Sequence, residues 1–536
     1  MSNFGEILKE IGEFGLFQKR LFAALCIPSM FGSMDVIGQV FTGMKFPHHC
    51  NTDWILVAGP NLTYERQRDL TIPVDKDGRF ESCKMFTPVD WDLETIERYG
   101  INTTTGCTDG WDYDAQPGAS SIVTEFDLVC GSKGLIETSQ SISMAGVLVG
   151  AFTFGTIADR FGRRFAILLS LFLLLLSAMS TALSPNIYVY MVLKFFCGSS
   201  SVVMMMNTSV MGLEWSTPSR SVLCTILITC SFSFGLMLLS GVAYLIHNWR
   251  ILQLVLFSPL VIVLVIFYWY VPESARWLAT QGRIKEAQKE LERVAMINGT
   301  KVPEDLLHKL KMESRPESRS TLDIFRISYL RKRTLIMAFN WFATSMVYYG
   351  LSLNVGNFGL DIYLTQLIFG IVEFFSNLST MFIIQSLGRR ITQASVLLLA
   401  GIACLVILTV PNDLPVVLTL IAVLGKMAST ASFSTLYIYT AELYPTVLRQ
   451  NGVGFNSMCA RTAGILAPLI RLLAVYHYTV PMIIYGITPI AACGFCLLLP
   501  ETLNVQLQDH ATLKEPLNGP VEDKNDRILV AEKHGL

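Results

Sequence analysis

The sequence predicts an all-α membrane protein of about twelve transmembrane helices in two six-helix halves, with one large extracellular loop. Three observations predict it. Apolar residues make up 52% of the chain and charged residues 15%, with a net charge of −1. Continuous apolar stretches of roughly 20 residues, the length that crosses a bilayer, recur along the chain. The second half also re-runs the punctuation of the first. Gly162-Arg163-Arg164 returns 226 residues later as Gly388-Arg389-Arg390. Glu214, followed by Arg220, returns 228 residues later as Glu442, followed by Arg449. Pro272-Glu273-Ser274 returns as Pro500-Glu501-Thr502, again at 228. A duplicated helix bundle is how secondary transporters build a mid-membrane site that can face either side.

The predicted spans lie near 21–42, 138–158, 165–183, 186–211, 222–246, 251–271, 334–354, 362–386, 391–410, 415–439, 451–474 and 479–499. The polarity of 362–386 would allow a count of ten or eleven, but the repeat requires six spans in each half. The domains follow: a cytoplasmic segment 1–20, a first half 21–272 that contains the extracellular loop 43–137, a cytoplasmic linker 273–333, a second half 334–500 and a cytoplasmic tail 501–536. Before the first span, Phe4, Ile7, Leu8 and Ile11 have helical spacing. That segment is either a helix lying along the inner interface or a short solvated lead-in. Lys19 and Arg20 abut an apolar run longer than a signal core, so no cleavable signal is expected.

Basic residues set the orientation. Arg160, Arg163 and Arg164 crowd one short loop, Arg389 and Arg390 its counterpart, and Arg331-Lys332-Arg333 closes the linker. These loops share one side, which is therefore cytoplasmic, and both termini fall there too. In the linker, Ile284, Ala287, Leu291 and Val294 form one apolar helical face, and Arg315-Pro316-Glu317 reads as a hinge. The polar tail has no run of spanning length and offers a place for a cytoplasmic scaffold.

The loop 43–137 carries Cys50, Cys83, Cys107 and Cys130, and an oxidising exterior favours disulfides among them. Three pairings are open. Asn61 and Asn102 stand in glycosylation sequons in the same loop. Asn207, Asn298 and Asn377 also stand in sequons, but in spans or on the cytoplasmic side. No cysteine–histidine cluster suggests a metal, no phosphate loop or nucleophile–base pair suggests an enzyme, and no cofactor or nucleic acid is expected.

The inner end of the second span reads G-x-x-x-D-R-x-G-R-R from Gly155 through Asp159-Arg160 to Gly162-Arg163-Arg164. Its acid and arginines can pair across helix ends when the inner side is shut. Glu214 with Arg220, and Glu442 with Arg449, could complete such a cluster in each half; the plainer reading is that these charges only fix topology. The second copy has Gln385-Ser386 in place of Asp-Arg, so the two inner gates should differ in strength.

The G-x-x-x-D-R-x-G-R-R pattern and the duplicated halves resemble the major facilitator superfamily. The four-cysteine loop, Phe126-Asp127-Leu128-Val129-Cys130, Pro272-Glu273-Ser274-Ala275-Arg276-Trp277 and Ala441-Glu442-Leu443-Tyr444-Pro445-Thr446 narrow this. Together they resemble solute carrier family 22, the organic ion transporters, over residues 1 to about 505. Tyr348-Tyr349-Gly350-Leu351-Ser352-Leu353 and Tyr363-Leu364-Thr365-Gln366-Leu367-Ile368-Phe369-Gly370 are most similar to the nicotinate/urate branch of the organic anion transporters. The resemblance implies a major facilitator fold and a plasma-membrane carrier. It also implies alternating access, with exchange of one small organic anion for another.

Arg461 is the first candidate for substrate, because a charge at bilayer depth costs roughly 2.5–3.5 kcal/mol and needs a watery cavity or a partner. Its planar fork suits a carboxylate. In the resemblance this position separates anion carriers, which place arginine here, from cation carriers, which place an acid. The structural alternative is a pair with Glu373 or another buried acid. At Asn377 the chain departs from the pattern, since many anion carriers of the family have Lys or Arg there. The neutral side chain favours small monocarboxylates, urate-like monoanions or neutral heterocycles over dicarboxylates. Phe232, Tyr348, Tyr349 and Phe433 match pocket positions in the resemblance, and flat aromatic walls suit flat heterocyclic anions. Lys194 and Lys426 either add positive potential or pair with nearby acids. Asp35 either binds a proton or pairs with a lysine. Arg471 is expected to snorkel at the outer end of its span. A cation, zwitterion or neutral-metabolite carrier on the same fold stays open beside the anion carrier, as does a receptor-like or enzymatic membrane protein.

Overall fold

The computed structural model describes residues 2–75, 78–217, 220–302, 322–411, 413–445 and 448–503. Six helices of spanning length build the first half. They are α1 (Leu16–Ile37), α2 (Gly134–Phe161), α3 (Arg163–Thr181), α4 (Ile187–Glu214), α5 (Ser221–Leu245) and α6 (Trp249–Tyr270), the last interrupted at Ser258-Pro259. Six more build the second: α7 (Ser328–Ser352), α8 (Ile362–Leu387), α9 (Arg389–Ile407), α10 (Pro415–Leu443), α11 (Arg449–Leu472) and α12 (Val480–Cys496). Ten of these are long and apolar enough to cross a membrane. The other two are α7, which opens on Arg331-Lys332-Arg333 and carries Asn340, Thr344 and Ser345, and α12, which has only 17 residues.

The halves repeat one folding device. Gly162 between α2 and α3 has φ +105°, and Gly388 between α8 and α9 has φ +85°. A left-handed turn breaks each helix pair there, and a Cβ at either glycine would run into the carboxylate of Glu273 or Glu501. Between the halves, α2 packs on α11 and α5 on α8. Ser141 Oγ donates to the Ile465 carbonyl at 2.9 Å, and Phe41 stacks on Tyr363 at 5.4 Å, joining the halves.

The outer loop folds around two small antiparallel sheets. β1 (His48–Cys50) pairs with β4 (Trp111–Tyr113), and β2 (Met85–Phe86) pairs with β3 (Thr104–Thr105). The disulfides are Cys50–Cys107 and Cys83–Cys130, one of the three pairings the sequence allows. Asn61 and Asn102 are both exposed. Glu125 docks the loop on the first half: its carboxylate accepts from Trp249 Nε1 at 2.7 Å and from Arg250 Nε at 2.8 Å. Burial works against the charged form there, but the hydrogen bonds from Arg250 and Trp249 outweigh it and hold the carboxyl below its ordinary value.

Of the two expected courses of the N-terminal segment, the structure forms the helix. The helix Ser2–Glu10 buries Phe4, Ile7 and Leu8 against protein, with Ile11 beside them. The same core takes in the linker helix Ile284–Asn298, whose Ala287, Leu291 and Val294 are fully buried as its apolar spacing predicts. Asn298 clamps the junction. It accepts the Phe17 N–H at 2.9 Å and donates to the Ile11 carbonyl at 3.0 Å and to Gln18 Oε1 at 2.9 Å. The expected hinge at Arg315-Pro316-Glu317 and the tail with its scaffold site lie outside the described residues.

Candidate functional site

At mid-depth the second half gathers aromatic and charged side chains from four helices. Tyr348 and Tyr349 come from α7, Glu373 and Asn377 from α8, Lys426 and Phe433 from α10, and Arg461 from α11. Tyr348 meets Phe433 edge-on at 5.3 Å and Tyr349 edge-on at the same distance. Two further rings extend the wall. Trp341 contacts Tyr437 at 4.6 Å and Phe433 at 6.2 Å. The sequence reading missed both. Helical spacing gives the signal: Trp341 is two turns before Tyr348, and Tyr437 one turn after Phe433. Phe232 makes no ring contact with this group among the described residues; it packs on the core of the first half.

Arg461 is only partly buried. Its Nη1 donates to Ser457 Oγ at 3.0 Å, and its Nη2 lies 3.3 Å from the Met206 sulfur on α4, across the interface between halves. A thioether is a weak acceptor, so the guanidinium has donors to spare. Among the described residues no carboxylate lies within ion-pair distance of it. Tyr349 and Tyr437 are close enough to interact with its charge. Tyr437 is 49% exposed despite its contact with the buried Trp341, so it opens onto accessible space beside the arginine.

Glu373, the acid offered as a structural partner for Arg461, is engaged elsewhere. Lys426 Nζ lies 3.0 Å from it, and the Tyr348 hydroxyl donates to both its oxygens at 3.0 and 3.2 Å. The same ammonium donates to Ser352 Oγ at 2.7 Å and sits 3.2 Å over the Tyr348 ring. In the first half, Lys194 pairs with Asp35 at 2.8 Å, both side chains nearly inaccessible. Both open choices about the lysines therefore resolve to pairing, and Asp35 resolves with them. Asn377 accepts from Ser434 Oγ at 2.7 Å and donates to Ser233 Oγ at 3.4 Å, which ties α8 to α10 and to α5. With both buried pairs neutral, the fixed charge at the centre is that of Arg461.

At the inner ends each half closes its charges on itself. Arg163 pairs with Asp159 on its own helix pair and, at 3.4 Å, with Glu214. Arg220 does not join Glu214; it reaches Glu13, 4.0 Å away. Arg160 is exposed and lies over the Phe161 ring. Arg389 pairs with Glu442 at 2.9 Å, and Glu442 also accepts from Thr502 Oγ1 at 2.6 Å. Arg449 opens α11. Glu273 and Glu501 were read only as repeat markers, but they cap helices. Glu273 accepts the backbone N–H groups of Arg163 at 3.0 Å and Arg164 at 3.2 Å, and Glu501 those of Arg389 at 2.8 Å and Arg390 at 3.1 Å. Burial pushes the Glu273 carboxyl above its ordinary value, against the pull of these N–H donors.

A helical bundle of two repeated halves with a cationic, aromatic-walled centre defines a membrane transporter of the major facilitator type. Residues 95–513 match the family model "Sugar (and other) transporter". Human "Solute carrier family 22 member 13" is 42% identical over 99% of this chain and 96% of its own length. "Solute carrier family 22 member 6" of Oryctolagus cuniculus is 38% identical over 94% and 93%, and human "Organic anion transporter 3" is 36% identical over 99% and 98%. The chain belongs to solute carrier family 22, a family of transporters and not of enzymes. Among solved structures, the inward-open xylose transporter XylE from E. coli superposes with a TM-score of 0.62 at 14% identity, over 91% of this chain and 98% of that one. That likeness shows the fold.

Proposed function

We propose that the protein carries small organic anions across the plasma membrane by alternating access, exchanging one monoanion for another, with both termini cytoplasmic. One observation carries this reading. Arg461 is a mid-depth guanidinium with spare donors, flanked by Tyr349 and Tyr437 and touching the opposite half through the Met206 sulfur. A carboxylate displaces a thioether readily, since a charge-assisted bidentate pair is far stronger than an N–H···S contact. Aromatic edges and faces then select a flat body such as nicotinate or urate. Phe232 stays a candidate from the first half through its neighbour Ser233, whose hydroxyl accepts from Asn377. Asn377 adds hydrogen-bonding capacity without a second charge, which fits a monoanion better than a dicarboxylate. The inner clusters of Asp159, Arg160, Arg163, Arg164, Glu214 and Arg220, and of Arg389, Glu442 and Arg449, act as gates that exchange partners when the inner side closes. The exposed Asn61 and Asn102 are the glycosylated residues.

The test is uptake of labelled nicotinate, urate and tetraethylammonium into expressing cells. One charge-assisted bond contributes about 1.5–3 kcal/mol, so Arg461→Ala should weaken anion affinity about ten- to a hundredfold. Arg461→Lys should restore part of it, because a point charge lacks the fork. Normal uptake of every carried anion by Arg461→Ala at matched surface abundance would sink the reading.

A further inference from the structure

A second group of charges sits at the outer mouth, three turns above the central arginine. Arg471 lies ten residues beyond Arg461 on α11, about 15 Å along the axis. Both arginines reach across to the first half: Arg461 to Met206, and Arg471 Nη2 to Glu137 on α2 at 3.8 Å. Glu137 also faces Lys45 at 3.6 Å, from the chain leading into β1, and its side chain is only 8% exposed. Arg471 does not snorkel; its Nη1 donates to the Leu353 carbonyl at the end of α7 at 2.9 Å. Two cavities, of about 460 and 300 Å³, meet at these residues, and each is lined by Lys45, Glu137 and Arg471. Those volumes span the lower range of small-ligand sites.

The chain membership of the three charges gives the group its character. Lys45 and Glu137 belong to the first half and Arg471 to the second. When the halves part on the outer side, Lys45 and Glu137 stay together and Arg471 leaves its acid. The Leu353 carbonyl moves with Arg471, so the guanidinium stays aimed at the mouth with its remaining donors free. We infer that Arg471 is an outer anion station: it takes the carboxylate of an entering organic monoanion when the outer side opens, and Glu137 replaces that carboxylate when the outer side closes. Glu137 then stands in for the substrate at the mouth, so substrate moving inward to Arg461 and outer closure favour one another. The assignment rests on the organic-anion reading above.

Two measurements on the full chain in cells test it. The first needs no transport. Ala474 lines the larger cavity and is exposed, so Ala474→Cys can be labelled from outside with an anionic sulfonatoethyl and a cationic trimethylammonium-ethyl methanethiosulfonate. Labelling of the parent protein gives the background. A cationic mouth should label roughly tenfold faster with the anionic reagent. Arg471→Gln should abolish that preference, Arg471→Lys should keep it, and Glu137→Gln should increase it. Equal rates, or a preference unmoved by Arg471→Gln, would overturn the station. The second measurement is labelled nicotinate flux: Arg471→Gln should raise the KM for uptake severalfold and leave the KM for efflux from preloaded cells nearly unchanged. A change of equal size in both directions would place Arg471 in the general scaffold and reject the station. If nicotinate, urate and benzoate are all refused while the labelling preference stands, the organic-anion reading is what fails.

Discussion

In the first half, Glu273 gathers the backbone N–H groups that start α3, and Arg163 ties the same corner to Glu214. In the second half, Glu501 does the same for α9, and Arg389 ties it to Glu442. At mid-depth the halves diverge. The first half buries Asp35 with Lys194, shut away from any open space. The second stacks its Lys426–Glu373 pair against Tyr348, inside the aromatic wall, and adds Arg461 with no acid to match it among the described residues. Duplication thus supplied the mechanical corners twice, while the mid-depth arginine proposed to hold the substrate sits in one copy. The first half contributes to the centre mainly by contact, through Met206 and Ser233.

The largest test of that contrast is removal of one partner from each buried pair. Taking away one member of a buried ion pair costs about 3–5 kcal/mol because the other charge is stranded. Asp35→Asn leaves Lys194 with the Asp35 backbone carbonyl, 3.4 Å away. It should sharply reduce surface abundance and thermal stability in detergent, and Asp35→Asn with Lys194→Met should recover much of both. Glu373→Gln leaves Lys426 its Ser352 hydroxyl and the Tyr348 ring, so the loss should be smaller and should appear mainly in transport. Equal destabilisation by the two single variants would erase the contrast between a closed first half and a working second half.

How much of this was legible beforehand differs between fold and site. The twelve helices were, ten of them apolar and long enough to cross a membrane, because hydropathy and the repeat are one-dimensional signals; the described helices begin and end within six residues of the expected bounds. Arg461 was also legible, since a lone arginine in an apolar run is conspicuous. Its partners were not. Glu373 stands in sequence as available to Arg461, but the register of α10 brings Lys426 to it first. Arg471 read as a snorkelling residue because nothing in the sequence shows that α2 and the end of α7 pack beside it. Glu214 and Arg220 looked like a pair six residues apart, but the chain leaves α4 between them and delivers Arg220 to Glu13. The N-terminal apolar stripe was visible; that it shares one core with the linker helix, nearly 300 residues away, was not.

The corners give a middle-sized test, this time of sameness. An acidic cap on the first turn of a helix contributes about 0.5–2 kcal/mol. Glu273→Gln and Glu501→Gln should therefore each lower thermal stability modestly and by similar amounts. Asp159→Asn should change it hardly at all, because Asp159 is 74% exposed and exposed pairs contribute little. A much larger loss from Glu273→Gln than from Glu501→Gln would show that the corners are not equivalent, and would make the first-half cluster the stronger inner gate. Cytoplasmic cysteine accessibility in the same variants separates a gate from a cap, since loss of a cap alone lowers stability without biasing which side is open.

The smallest effect sharpens the comparison at the outer surface, where only the first half carries a folded loop. Glu125 fastens that loop to Trp249 and Arg250 at the start of α6. Its carboxyl is held below the ordinary value of 4.5 in the folded protein. A depressed carboxylate pKa means the folded state binds the proton less readily than the unfolded one. The contribution is then fully present above the ordinary value and is lost as the pH falls through the folded one. Loop docking should thus be insensitive to pH from neutrality down to the ordinary carboxylate value and weaken as the pH falls below it, a window set by the direction of that shift. Glu125→Gln should remove the acid-side dependence and lower protection of the loop slightly near neutrality, where the parent's carboxylate is charged. The Cys50–Cys107 and Cys83–Cys130 bridges hold the loop's own fold throughout. Limited proteolysis of the outer loop on intact cells between pH 3.5 and 7 reads this directly. An acid-labile loop in Glu125→Gln identical to the parent's would take the acid dependence away from Glu125 and give it to another titrating group.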